Sequence, residues 1–382
     1  MLTVDFEDGV EQRREEMPDE KTTARAREYQ REQLNLELFE EVATILFLMI
    51  WVWLAPMVVS AFSGFSSYTA LILLSAIMYV SYQIGLFAFD YLSGYRLEHK
   101  YNLSTETFWG WLWRHTKAIG LMGLLLGGMI VLLYAAMWHL KYWYLWCWAG
   151  WVLFSIVLAQ IFPVLILPIF YQSKKLENDA LLERFQVLSE GTGISIEGVY
   201  NLELSKTTRK GNAMLAGLGR TRRVLLGDTL LERLDQQQLE VIYAHELGHH
   251  VHRHFYKSLV LYAFSSIALF ALIYWILTFG IAGGENARLQ AVTRLPLMCL
   301  TLSLFTFIWR PVSNAVSRHF ERQSDRYALE RTKLPEKFIS AFEVLAEQNL
   351  ADPEPSRWVV WMYHDHPPIR QRIDMARTFL QS

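Results

Sequence analysis

What most limits the folds open to this chain is a set of long stretches without a single charge. Val42 to Phe89 contains no Asp, Glu, Lys or Arg. A spanning helix needs about 20 apolar residues, so this run is too long for one span and sufficient for two, with Ser63-Gly64-Phe65-Ser66-Ser67 as the turn. Ala118 to Trp138 supplies a third. Tyr142 to Gln172 is also uncharged, but Pro163 and Pro168 predict a fourth span followed by a kinked or surface-lying segment. Ser258 to Gly284, and the shorter run Leu295 to Trp309 preceded by Arg294, which can snorkel, bring the count to six. With 52% hydrophobic and 14% aromatic residues and positive mean hydropathy, the chain exceeds ordinary soluble usage. The expected fold is mainly α, a polytopic membrane protein with about six transmembrane helices.

These spans divide the chain. Residues 1–41 are hydrophilic and acidic, Asp and Glu far outnumbering Lys and Arg, and lack the basic lead and short apolar core of a secretion signal. Ala24 to Glu41 has partly apolar helical spacing through Tyr29, Leu34, Leu36, Leu38 and Phe39, but the preferred reading is a solvated lead-in. Residues 42–172 form a membrane part of four spans with a loop at 91–117. A soluble insert follows at 173–257, two further spans at 258–310, and a soluble tail at 311–382. Lys/Arg bias sets orientation. The loop 91–117 carries Arg96, Lys100, Arg114 and Lys117, whereas the turns at 63–67 and 139–141 hold only Lys141. An even span count then puts the N-terminus, that loop and both soluble parts on the cytoplasmic face. The aromatic crowding from Trp138 to Trp148 fits the opposite interface. Cys147 and Cys299 lie in apolar runs and imply neither a disulfide nor a metal pair. A formal net charge of −2 gives no electrostatic case for nucleic acid. Nothing in the sequence speaks to oligomeric state.

The soluble insert carries the chemistry. His245-Glu246-Leu247-Gly248-His249 places two histidines four residues apart, on one face of a helix, where both imidazoles can grip one Zn²⁺. Glu246 then stands beside the metal, able to take a proton from an attacking water. The pentad is short enough to arise by chance in a helix with two polar faces. Its setting argues otherwise: Asp235 and Gln238 read as N-cap and N3 of a capping box, so the pentad falls in a helix interior. A third ligand is needed, and Glu321 is the best candidate. It shares a helical face with Asp325, which can orient a ligand histidine. Arg318, Arg322 and Arg326 would equally make this an exposed, charge-laced helix. Two spans separate Glu321 from His249, which puts the metal at or near the membrane.

Within the insert, Leu181–Gly191 reads as helix, Ile194–Leu202 as a short strand region, and Met214–Gly217 with Arg222–Leu226 as a hairpin joined through Leu218-Gly219-Arg220-Thr221. An edge strand beside the metal can bind an extended peptide by backbone hydrogen bonds. Asn212 reads equally as the residue that starts a strand. In the tail, Lys337–Gln348 and Pro368–Leu380 read as helices. His364 reads as surface, and His250, His252 and His254 as surface or as groups supporting the site.

Four motifs in order, the segment from Arg209 through Asn212-Ala213 to Asp228, then Ala244 to His250, Glu321-Arg322-Gln323-Ser324-Asp325, and His366-Pro367-Pro368-Ile369-Arg370-Gln371-Arg372, resemble the type I CAAX prenyl proteases and their bacterial relatives. The resemblance covers about residues 90–380, including Tyr95 to Thr107. It implies a zincin-like catalytic part with a small β-sheet, split by two transmembrane helices, and one Zn²⁺ per chain held by His245, His249 and Glu321. It further implies Glu246 as general base, Asp325 supporting the ligands, Asn212 and Ala213 binding substrate, and His366 and Arg372 stabilising the oxyanion. Lys210-Gly211 departs from the His-Ser common in eukaryotic members, and those members have seven spans. The expected activity is zinc metalloendopeptidase cleavage of membrane-associated or prenylated proteins near the cytoplasmic face, in the inner or plasma membrane of a bacterium or the endoplasmic reticulum of a eukaryote. General turnover of misfolded membrane proteins, as in heat-shock proteases that resemble the family, is the alternative; a non-proteolytic scaffold is a third reading, opposed by the intact motif. A transporter is disfavoured because Glu41, Asp90 and Arg310 only flank the spans.

Overall fold

The computed structural model describes residues 20–217, 222–281 and 285–381. Six helices among them are long and apolar enough to cross a membrane. The first uncharged run gives α1 (Glu20–Ser60) and α2 (Ser67–Tyr91), broken at the expected turn, where the Ser66 hydroxyl accepts from Thr69 N–H and caps α2. Most of the expected loop at 91–117 is helical instead. A π-helical stretch, Leu92–Leu97, and Glu98–Lys100 prolong α2, and α3 (Phe108–His139) starts after a Thr107 cap. α4 (Trp143–Ile161) passes through a second π-helical stretch, Phe162–Ile166, into Leu167–Phe170. Pro163 and Pro168 supply no N–H to the helical ladder, so the chain changes pitch there, as their positions predict.

The amino-terminal expectation is overturned. From Glu20, α1 runs without a break into the membrane, and Ala26 and Tyr29 are buried against Leu97, Tyr101, Leu103 and Leu350. The Tyr29 hydroxyl donates to Glu98 at 2.6 Å. Positions 24–41 are thus a packed helical extension rather than a solvated lead-in.

The small sheet has the order β1-β2-β4-β3: β1 (Ser173–Lys175), β2 (Gly198–Leu202), β3 (Ala213–Ala216) and β4 (Arg223–Gly227). β2 and β4 are parallel and the other pairs antiparallel. β3 is therefore an edge. The expected turn at 218–221 lies outside the described residues. α5 (Asp179–Ser189) and α6 (Gln236–Val251) pack behind the sheet, and α6 opens on the expected box, Asp235 accepting from Gln238 N–H while Gln238 Oε1 accepts from Asp235 N–H.

α7 (His254–Thr278) and α8 (Glu285–Thr293) precede α9 (Leu295–Thr332), one helix of 38 residues that carries the last span and Glu321 together. α10 (Pro335–Gln348), α11 (Arg357–Tyr363) and α12 (Ile369–Gln381) complete the soluble part. The membrane helices are tied at one end: Trp51, Ala55 and Val59 of α1 meet Leu71 and Leu74 of α2, Tyr134 of α3, Ile273 and Leu277 of α7 and Leu295 of α9 in one buried cluster. These are the ends remote from α6. Toward α6, a cavity of about 450 Å³ is lined by Gln160 at the end of α4, Phe162 and Pro163 just after it, Tyr256 of α7 and Phe320 of α9, with Glu246 and His249 at its wall.

Candidate active site

Two helices make the site, and their close approach depends on one glycine. A Cβ on Gly248 would lie 3.0 Å from Ser324 Cα, so only glycine lets α6 and α9 cross this tightly. Ser324 is fully buried at that crossing. His245 and Glu321, each three residues before the crossing on its own helix, and His249, the neighbour of Gly248, each offer a ligand atom, all within 4.8 Å of one another. His245 Nε2 stands 3.2 Å from Glu321 Oε2, His249 Nε2 stands 3.2 Å from Glu321 Oε1, and the two Nε2 atoms are 3.3 Å apart. Two ligands each about 2.0–2.1 Å from a tetrahedral metal would sit about 3.3–3.4 Å apart.

The protonation pattern makes this an acceptor cluster. Asp325, wholly buried, lies 2.9 Å from His245 Nδ1, which donates to it and leaves Nε2 with a lone pair. Glu321 Oε2 is buried and has no hydrogen-bond partner among the described residues. Lone pairs facing one another at such distances call for a positive centre between them, and two imidazoles with one carboxylate form a donor set suited to zinc. The two carboxylates draw positive charge to this point, which either a proton on His245 Nε2 or a metal ion would supply: burial works against a charged His245, yet Asp325 and Glu321 outweigh it and raise the imidazole to about 9. The Glu246 carboxyl is raised above its usual range by burial, opposed by the neighbouring histidines and by a hydrogen bond from Leu215 N–H.

Arg372 and His366 reach the site differently. Arg372 Nε donates to Asp325 Oδ2 at 2.8 Å, Nη2 donates to Asp325 Oδ1, and the guanidinium lies 3.8 Å over the Phe342 ring. It is buried beside His245, with Nε and Nη2 engaged by Asp325. His366 Nε2 is 3.4 Å from Glu321 Oε1 and Nδ1 is 2.7 Å from Asp365 Oδ1. That bond to Asp365 raises the His366 imidazole above its ordinary value. His364, read as surface, is half-buried and its carbonyl accepts from Arg318.

β3 runs past Glu246 with its edge toward the helices. Gly227 N–H donates to Asn212 O, so in the alternating antiparallel ladder Met214 and Ala216 face β4 while Ala213 and Leu215 face outward. Leu215 is occupied: its N–H meets Glu246 and its carbonyl lies 3.0 Å from His250 Nε2. Among the described residues, Ala213 keeps both main-chain groups open at the wall of a cavity of about 480 Å³, which Asn212, His245, Glu246, His366 and Arg372 also line. Before the strand, Asn349 grips Gly211 through its N–H (2.9 Å) and carbonyl (3.3 Å). Lys210 Nζ binds Glu98 and the Tyr29 hydroxyl, each at 2.9 Å. A Cβ at 211 would fall 2.6 Å from Leu230, which explains the glycine after Lys210. The Asn349 clamp and the contact of α1 with this loop carry no local sequence signal.

The sequence model of peptidase family M48 matches residues 175–379, and that of the CAAX prenyl protease N-terminal region, described as five membrane helices, matches residues 6–172. The chain belongs to peptidase family M48. Among relatives, YhfN of Bacillus subtilis, an uncharacterized metalloprotease, is 31% identical over 290 residues, 74% of this chain and 68% of that protein. A CAAX prenyl protease 1 homolog of Oryza sativa is 24% identical over 375 residues, 91% of this chain and 85% of that protein. The crystal structure of S. mikatae Ste24p shares the fold, with a TM-score of 0.76 and 20% identity over 93% of this chain and 88% of that one. This M48 member is a membrane zinc metalloendopeptidase, as its motifs imply.

Proposed function

We propose that this peptidase cleaves membrane-associated or prenylated proteins near the cytoplasmic face of its membrane, with one zinc ion held by His245, His249 and Glu321. The acceptor cluster beside a half-buried Glu246 supports this reading most strongly. Zinc, when bound, supplies Lewis acidity that polarises the scissile carbonyl and activates water near neutral pH. The rest is done by side chains. Glu246, held by Leu215 N–H, takes the proton of the attacking water and passes it to the leaving amine. An extended substrate adds to the β3 edge through Ala213, with Asn212 beside it. His366, its charge favoured by Asp365, donates from Nε2 to the oxyanion. Asp325 orients His245, and Arg372 acts one step further out by holding Asp325.

The relatives named as CAAX prenyl proteases support a prenylated or membrane-proximal substrate, and the 450 Å³ cavity beside Glu246 and His249 supports entry from the membrane side. Mass spectrometry of proteins retained by a Glu246→Gln variant in native membranes tests this. Retention of prenylated or membrane-anchored chains is expected. Recovery of misfolded multi-span proteins alone would favour general quality control, and cleavage by wild-type protein that survives zinc chelation would overturn the reading.

A further inference from the structure

One buried histidine outside the motifs has its ring nitrogens fully engaged. His254 is 3% exposed and opens α7 just after Arg253, whose backbone is left-handed (φ 56°, ψ 38°). In an unbroken helix a residue five places after His249 would point roughly 140° away from it. The left-handed step turns the chain, and His254 Nδ1 comes to lie 3.1 Å from His249 Nδ1. On its other side, His254 Nε2 is 2.9 Å from Gln323 Oε1, and the ring stacks on Phe320 at 4.3 Å and 10°. Phe320 and Gln323 flank Glu321 on α9.

The proton count along this line has one consistent solution. The amide oxygen of Gln323 only accepts, so His254 Nε2 carries the hydrogen. No carboxylate among the described residues reaches the His254 ring, so a neutral ring leaves Nδ1 as an acceptor. The 3.1 Å contact is then a hydrogen bond donated by His249 Nδ1, which leaves His249 Nε2 bare and facing Glu321. Asp325 has the same effect on His245 from the opposite side.

We propose that His254 is a positioning residue that fixes the tautomer and ring orientation of His249 for zinc, with Gln323 setting the direction of the relay. The inference rests on the reading of His249 as a ligand. The site is therefore asymmetric: one imidazole is backed by a carboxylate and the other by a neutral imidazole.

Zinc affinity of the purified full-length protein, measured by competition with a fluorescent chelator, tests it. His254→Phe keeps a ring against Phe320 but removes the acceptor, and a loss on the order of 10–100-fold is expected. His254→Asn, whose Oδ1 can accept near the position of Nδ1, should recover most of that loss. Wild-type affinity in His254→Phe, or equal losses in the two variants, would overturn the proposal, because a role in packing alone needs no acceptor. Should His254→Phe fail to fold, Gln323→Leu frees the His254 tautomer; a several-fold loss supports the relay and unchanged affinity overturns it. His249→Ala separates the two levels: if it retains tight zinc the ligand reading fails, whereas tight zinc in His254→Phe alone removes only this inference.

Discussion

At Glu246, base and ligand make opposite demands on a carboxylate, and substitution tells them apart. Glu246→Gln is isosteric and removes the proton acceptor, so turnover should fall by roughly 10²–10⁴-fold while zinc stays bound. Metal analysis of the variant checks this, and stoichiometric loss of zinc would contradict the base assignment. Glu321→Ala removes one of the three proposed ligands and should lose metal outright, whereas Asp325→Ala leaves the proposed ligand set intact and should cost on the order of 10–100-fold in affinity or activity. The second variant also strands Arg372, buried against Phe342 without its carboxylate partner, so its folded state should be weakened as well. Thermal unfolding of the metal-free protein would register that part separately.

At the scale of elements, the site depends on where helices begin and how closely they cross. The Asp235–Gln238 box fixes the start of α6, and loss of the Asp235 acceptor in Asp235→Ala should destabilise the soluble part by about 0.5–2 kcal/mol, read in a denaturant titration. The crossing is less tolerant. Gly248→Ala puts a methyl 3.0 Å from the Ser324 backbone, with no flexible side chain to yield, so α6 and α9 must separate. Overpacking of this kind costs about 1–3 kcal/mol, and the separation also draws Glu321 from the histidines, so zinc affinity should drop together with stability. If affinity held while stability fell, the crossing would not be what sets ligand spacing.

Across the whole molecule, the membrane helices meet at the end remote from α6, and the soluble parts gather at the other. α1 and α9 each run from membrane to soluble part without a break, and Arg310 of α9 pairs with Glu41 of α1 at 2.5 Å near the edge of both uncharged runs. Lys/Arg bias in the loops predicts that the active side is cytoplasmic. Ser173 and Ser356 are exposed, so single-cysteine variants there, in a background without Cys147 and Cys299, should resist a membrane-impermeant thiol reagent in intact cells and react once the cytoplasmic side is opened. Labelling from outside intact cells would reverse the topology and exclude cytoplasmic tails as substrates.

The sequence by itself determined what local composition and helical periodicity encode. Charge-free runs marked six spans because a charge in the bilayer core is costly, and Pro163 and Pro168 marked the change of pitch because neither supplies an N–H. The pentad and the capping box located two imidazoles on one helical face. Contacts between distant segments were decided only in three dimensions. Tyr29 is buried because Glu98 and Lys210 come to meet it, which no window around residue 29 reveals. Arg372 reaches Asp325 and His245 because α12 packs against the helices that carry them. His254 reaches His249 through one left-handed residue, and a helical wheel carried through Arg253 points it elsewhere. Spacing along a helix can be read from a sequence, but which lone pairs face one another across two intervening spans is set by how α6 and α9 pack at Gly248 and Ser324.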